Sequence, residues 1–249
     1  MAVYSWIRTM KWILLAMLVS VTTGCATTGL QNRVVVLEQR VEKLSQEVAK
    51  LRSPENPAPP ENSEQIAGDM LKSAQEAVNQ LDGERAKTLL DALVGKYGAT
   101  SAARYASRLR TEVEVLGKPA GEMDVEYWFN GQSTMNEGSA TLLVFWEEWC
   151  PHCRREMPKL EKVWQDNKDK GLNLIGLTKM SRSSTDEKVN KIIADNGLTY
   201  PIGKERAGAM SKHFNVSGVP AAAIVKDGHV VWRGHPARIS DEVLKKVLE

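Results

Sequence analysis

Thr141-Leu-Leu-Val-Phe-Trp146 runs directly into Glu147-Glu-Trp-Cys150-Pro-His-Cys153 and then Arg154-Arg-Glu-Met-Pro158. Residues 141–146 form an unbroken apolar run, the pattern of a strand buried on both faces at the centre of a sheet. Beyond the cysteines, Glu156, Leu160 and Val163 recur at helical spacing. A Cys-x-x-Cys pair therefore falls where a buried strand gives way to a helix. The first sulfur then sits at a helix N-terminus, where unpaired N–H groups and the positive end of the dipole favour a thiolate. Pro151 suits the first turn, because its missing donor would have no partner there. Disulfide exchange requires an attacking thiolate and a second thiol near enough to resolve the mixed disulfide. Cys150 takes the first role and Cys153, one turn inward, the second.

Working outward, His152 is placed to donate to the Cys150 sulfur or, as imidazolium, to attract it; a solvent-facing ring is the plainer alternative. A better-held thiolate favours the reduced pair and makes its disulfide a stronger oxidant. Residues 172–177 (LNLIGL) predict a second buried strand, and Thr185 caps a helix over 185–195. Residues 221–225 and 229–232 predict a hairpin about Lys226-Asp-Gly228. A last helix is predicted over about 240–248. Strand, helix, strand, then hairpin and helix is an α/β, thioredoxin-like order, and the texture begins near Met123.

Residues 145–158 resemble the active-site segment of the thioredoxin superfamily. Glu156, three residues past the second cysteine, with Pro158 two further on, is most similar to its TlpA branch of exported thiol-disulfide oxidoreductases. Gly218-Val219-Pro220 resembles that family's cis-proline loop, and the 185–195 helix sits where the branch carries an extra insertion. The resemblance covers residues 120–249. It implies a thioredoxin-like domain acting on protein or peptide disulfides and dithiols, without a cofactor, in exchange with a membrane electron donor or acceptor. It also implies that Val219 and Pro220 lie against the cysteines and offer a backbone edge to the substrate, with Trp149 and Pro151 bordering the same groove and Trp146 in the core. Glu156 inherits a role in proton handling beneath Cys153, which partly apolar surroundings would support. One departure stands out: thioredoxins proper carry an Asp at the position of Val144. The Pro151-His152 pair resembles the oxidising DsbA type although the frame is TlpA-like, so reductase, isomerase and oxidase all stay open.

The N-terminal half reads differently. Arg8 and Lys11 precede an apolar stretch, residues 12–21, that is too short for a bilayer needing ~20 residues. A basic start, a short apolar middle and small residues predict a secretion signal over 1–24. Thr22-Thr-Gly-Cys25 resembles a bacterial lipoprotein processing site, with Thr22 departing from the usual Leu. Cys25 is then the lipid-attachment residue, and the protein is anchored in the bacterial cell envelope facing the periplasm. Val34, Leu37, Val41, Leu44, Val48 and Leu51 alternate at spacings of three and four. Val at a and Leu at d over 31–52 predict a coiled coil, most simply a parallel homodimer and alternatively a trimer. Residues 53–63 (SPENPAPPENS) predict a proline-stiffened linker. Residues 64–117 predict three helices with stops at Asp82-Gly83, Gly98 and Gly117-Lys-Pro119. They resemble one and a half tetratricopeptide-type units, whereas an array needs about three repeats, so a small all-α helical spacer is expected.

Composition excludes several functions. Lys+Arg 33 against Asp+Glu 31 leaves +2, which gives nucleic acid no electrostatic footprint. The three cysteines are too few for a disulfide framework. A haem-attachment motif needs His after the second cysteine, where Arg154 stands. No metal is expected, because His213, His229 and His235 do not pair at ligand spacing. A non-catalytic interaction module with the same fold remains the rival reading.

Overall fold

The computed structural model describes residues 28–51 and 62–249. The predicted signal over 1–24, Cys25 and the linker except Asn62 and Ser63 lie outside the described residues. Helix α1, Thr28–Leu51, contains residues 31–51 of the predicted coiled-coil stretch. Its a and d residues Val34, Leu37, Val41 and Leu44 are 50–62% exposed.

A second unit begins at residue 59 and holds everything else. Helices α2 (Ser63–Asn79), α3 (Gly83–Tyr97) and α4 (Ser101–Val113) are the three predicted. Asp82 caps α3 by accepting from Arg85 N at 3.0 Å, and Thr100 caps α4 by accepting from Ala103 N at 3.1 Å. Glu64 reaches from α2 to the start of α4, accepting from Ser101 N at 3.0 Å. Ala67, Ala74, Ala86 and Ala106 are buried between the helices with Leu90, Leu93 and Val113, and these small residues allow close approach.

The sheet has strand order β1-β4-β3-β2-β5-β6: β1 Val125–Asn130, β2 Ala140–Trp146, β3 Leu172–Thr178, β4 Ile202–Glu205, β5 Ala221–Lys226 and β6 His229–Gly234. The central strands β2 and β3 are parallel, with Leu142 opposite Leu174, and every residue of both is buried. β5 runs antiparallel to β2, and β6 to β5. Helix α5, Pro151–Asn167, follows β2; α6, Asp186–Asp195, precedes β4; α7, Ala209–His213, follows it; α8, Asp241–Leu248, closes the chain. Thr185 and Ser240 cap α6 and α8. Asp227 and Gly228 both have positive φ, 52° and 72°, the tight hairpin turn expected between β5 and β6.

One finding departs from the sequence reading. Strands β1 and β4 were not predicted; β4 (IGKE) is too short to show a period, and β1 sits at the sheet's edge, half-buried. They pair because Gly203 leaves room: a Cβ there would stand 2.8 Å from Val125 Cγ1. The helices α2–α4 also pack onto the sheet. Trp232 of β6 is fully buried and donates to Asn79 Oδ1 of α2 at 3.3 Å. Asn215 Nδ2 donates to Thr111 O of α4 at 2.9 Å. The chain leaving α4 pairs with β6, Gly117 N donating to Val230 O at 2.8 Å and Val230 N to Lys118 O at 3.0 Å. An edge strand with unpaired backbone groups must be covered or blunted; this segment covers β6 and so ties the helices to the sheet.

Candidate active site

The buried strand β2 ends at Trp146, and α5 begins at Pro151. Between them the chain delivers Cys150 to the N-cap position, where its sulfur takes the place of the usual hydroxyl or carboxyl. Cys150 Sγ accepts from Cys153 N at 3.4 Å, and its thiol lies 3.6 Å from Val219 O. Cys150 is 4% exposed and Cys153 fully buried; both are free thiols. Burial, first, and then the neighbouring Cys150 and the charge of Glu147 push the Cys153 thiol well above a free cysteine.

The Val219-Pro220 bond is cis, and this loop is what meets Cys150. Pro151 is the first residue of α5. Trp149 is half-buried, donates from Nε1 to Ser181 Oγ at 3.2 Å and carries the Arg182 guanidinium 3.8 Å above its ring. Trp146 lies in the core.

His152 is exposed, and its Nδ1 lies 2.5 Å from Arg155 Nη2. A guanidinium can only donate, so this nitrogen is the acceptor. Through this nitrogen the ring meets Arg155, and it lines the adjoining cleft. Glu156 is nearly buried, with Oε1 held by Lys159 Nζ at 2.9 Å. Its charge bears on His235, whose pKa is lowered chiefly by burial and partly restored by that carboxylate.

The group that sequence reasoning missed is Glu147. It is 1% exposed; Oε2 accepts from Ser181 N at 3.1 Å and from Thr178 Oγ1 at 3.4 Å, while Oε1 has no partner among the described residues. Val144 is fully buried, and the charge of Glu147, just past the end of the strand, is one of the influences that raise the Cys153 thiol. The signal was present in the sequence, as an acid abutting a wholly apolar run.

Residues 128–233 match the AhpC/TSA family. Sporulation thiol-disulfide oxidoreductase A of Bacillus subtilis is 24% identical over 117 residues, 47% of this chain and 71% of that protein. Thiol-disulfide oxidoreductase ResA of Bacillus thuringiensis is 29% identical over 115 residues, 45% of this chain and 65% of that protein. The crystal structure of StoA from Bacillus subtilis superposes with a TM-score of 0.43 at 23% identity, covering 52% of this chain and 96% of that one. The chain thus spans about two thirds of the length of these curated relatives. Its C-terminal half has a thioredoxin-like fold, is similar to the AhpC/TSA family over residues 128–233, and has thiol-disulfide oxidoreductases among its relatives.

Proposed function

We propose that the chain is an exported thiol-disulfide oxidoreductase that exchanges disulfides with protein or peptide substrates through Cys150 and Cys153. The observation that carries this reading is the pair itself: two free thiols at one helix N-terminus, the first receiving a backbone N–H at 3.4 Å and lying against the Val219 carbonyl. The Cys150 thiolate attacks one sulfur of the substrate disulfide, and the other sulfur leaves as a thiolate that takes up a proton. Cys153 gives up its proton and attacks Cys150 Sγ, which releases the second substrate thiol and leaves the Cys150–Cys153 disulfide. Two electrons and two protons pass to the substrate, and the reverse sequence oxidises a dithiol. The first step is helped by the N–H aimed at Cys150. The second is opposed by burial of Cys153, and Glu147 is the proton acceptor that offsets this; its free Oε1 and its charge at Cys153 support the role.

Export and attachment through a lipid on Cys25 rest on the pattern of residues 1–25. Self-association through 31–52, as dimer or trimer, is supported by the a/d pattern and by the exposure of Val34, Leu37, Val41 and Leu44. Reduction or isomerisation is the favoured direction, in exchange with a membrane electron carrier. The test is insulin reduction by the full chain with a dithiol supplied. Cys150→Ser abolishes it, and Cys153→Ala accumulates a mixed disulfide. A pair that does not equilibrate with glutathione buffers refutes the exchange reading. A potential near about −120 mV, that of strong dithiol oxidants, refutes the direction alone.

A further inference from the structure

Beside Cys150 lies a cavity of about 230 Å³, and the thioredoxin-like half supplies only part of its wall. Val219 and His152 line it next to the cysteines, together with Tyr105, Arg108 and Glu112 of α4. The fit depends on two glycines. A Cβ on Gly218 would stand 3.2 Å from Arg108 Nη2, and one on Gly234 would stand 3.1 Å from Arg238 Nη2. Both guanidinium groups therefore lie down against bare backbone at the edge of the cavity.

The charge there is uneven. Arg108, Arg233 and Arg238 line the cavity against the single carboxylate of Glu112. Glu112 is engaged by Arg108 at 3.5 Å. Arg233 is buried and spends its donors on the carbonyls of Phe214, Ala222, Gly234 and Asn215, so it is fixed in place, and Glu112 is the carboxylate that bears on its charge. Arg238 has no ion-pair partner among the described residues. His235, held below its ordinary pKa mainly by burial, does not add to the count near neutral pH. At the rim, Tyr105 is 52% exposed, the large hydrophobic side chain left open outside α1 among the described residues. An exposed aromatic beside arginines is the composition of a protein-binding hot spot.

From this we infer that α4 is a substrate-reading wall, and that the cleft selects polypeptides carrying an Asp or Glu within a few residues of the reacting cysteine. The inference rests on the exchange reading given above and adds the substrate class. With the substrate sulfur at Cys150, a neighbouring acidic side chain enters the cavity past Val219, its carboxylate meets Arg108 and Arg238, and Tyr105 covers the chain from outside. Arginine suits this task because its planar fork accepts a carboxylate in two hydrogen bonds.

The test uses the reduced full-length chain and three synthetic peptide disulfides that differ only at the position two residues from cysteine, which is Glu, Gln or Lys. Second-order rate constants for oxidation of the protein are read at low salt. The expected order is Glu, Gln, Lys, with the Glu peptide about tenfold faster than the Lys peptide. In Arg108→Gln and in Arg238→Gln that ratio falls to about threefold or less. Because the ratio is taken within each protein, losses of stability or of intrinsic thiol reactivity cancel. Equal rates for the Glu and Lys peptides, or a preference that survives both substitutions, overturn the inference and leave the exchange reading standing. No exchange with any of the peptides overturns both.

Discussion

Replacing Glu147 by Gln keeps the shape of the side chain and removes its charge and its capacity to take a proton. In the structure Oε2 is occupied by Ser181 N–H and Thr178 Oγ1, and Oε1 has no partner among the described residues. A Gln that retains the Oε2 contacts therefore points an unpartnered NH2 into the core, which costs about 1–3 kcal/mol of stability. The kinetic effect is larger. A positioned proton acceptor contributes about 10²–10⁴-fold to the step it serves. Against this, removing the negative charge lets the Cys153 thiol titrate at lower pH, since Glu147 is one of the groups that raise it. A drop of one pKa unit is worth about 1.4 kcal/mol and returns at most about tenfold. The net expectation at pH 7 is a slowing of about tenfold to a thousandfold, confined to resolution by Cys153.

An aromatic disulfide such as bis(nitrobenzoate) disulfide separates the two steps in a single turnover. One coloured thiolate appears when Cys150 attacks and a second when Cys153 resolves the mixed disulfide. In Glu147→Gln the first release stays within about threefold of wild type and the second lags. The second release should also climb about tenfold per pH unit up to the lowered Cys153 pKa, because hydroxide now takes the proton. Equal slowing of both phases, or a second phase unchanged in rate and pH profile, would refute the role of Glu147.

Leu90 of α3 is fully buried, and Leu90→Ala removes three carbons at ~0.8 kcal/mol each before any cavity term, placing the loss at about 2–5 kcal/mol. At about 2–4 °C per kcal/mol for a unit of this size the Tm falls by roughly 5–20 °C. Residues 62–117 contain no Trp, so Trp fluorescence reports on the chain outside α2–α4, with Trp232 touching α2 through Asn79. It should shift together with the helical circular dichroism, and two separate transitions would show that α2–α4 fold by themselves. Deleting residues 31–52 should leave a monomer in sedimentation equilibrium, and an unchanged mass would dismiss the zipper. His152→Ala should leave the reduction potential within a few millivolts, since the ring meets Arg155; a large shift toward reducing values would show a direct contact with Cys150.

The sequence by itself determined the parts whose cause is local. An apolar run as long as β2 has nowhere to go but a buried strand, and a Cys-Pro-His-Cys at its end has to open a helix. Thr185 and Ser240 announce α6 and α8 because capping depends on neighbours three residues away. Asp227-Gly228 announces its turn because both residues tolerate positive φ. What the tertiary structure decided are matters of distant partners. Strands β1 and β4 exist because each gives the other its hydrogen bonds and Gly203 gives them room. In residues 64–117 an apolar stripe shows that a helix must be covered without saying by what. Here part of the covering is β6 with Trp232, and α4 thereby reaches the cleft beside Cys150. The same holds for charge: Glu156 and Glu147 are both acids near a cysteine in the chain, and only the folded structure shows Glu147 buried on Ser181 N and Glu156 held by Lys159.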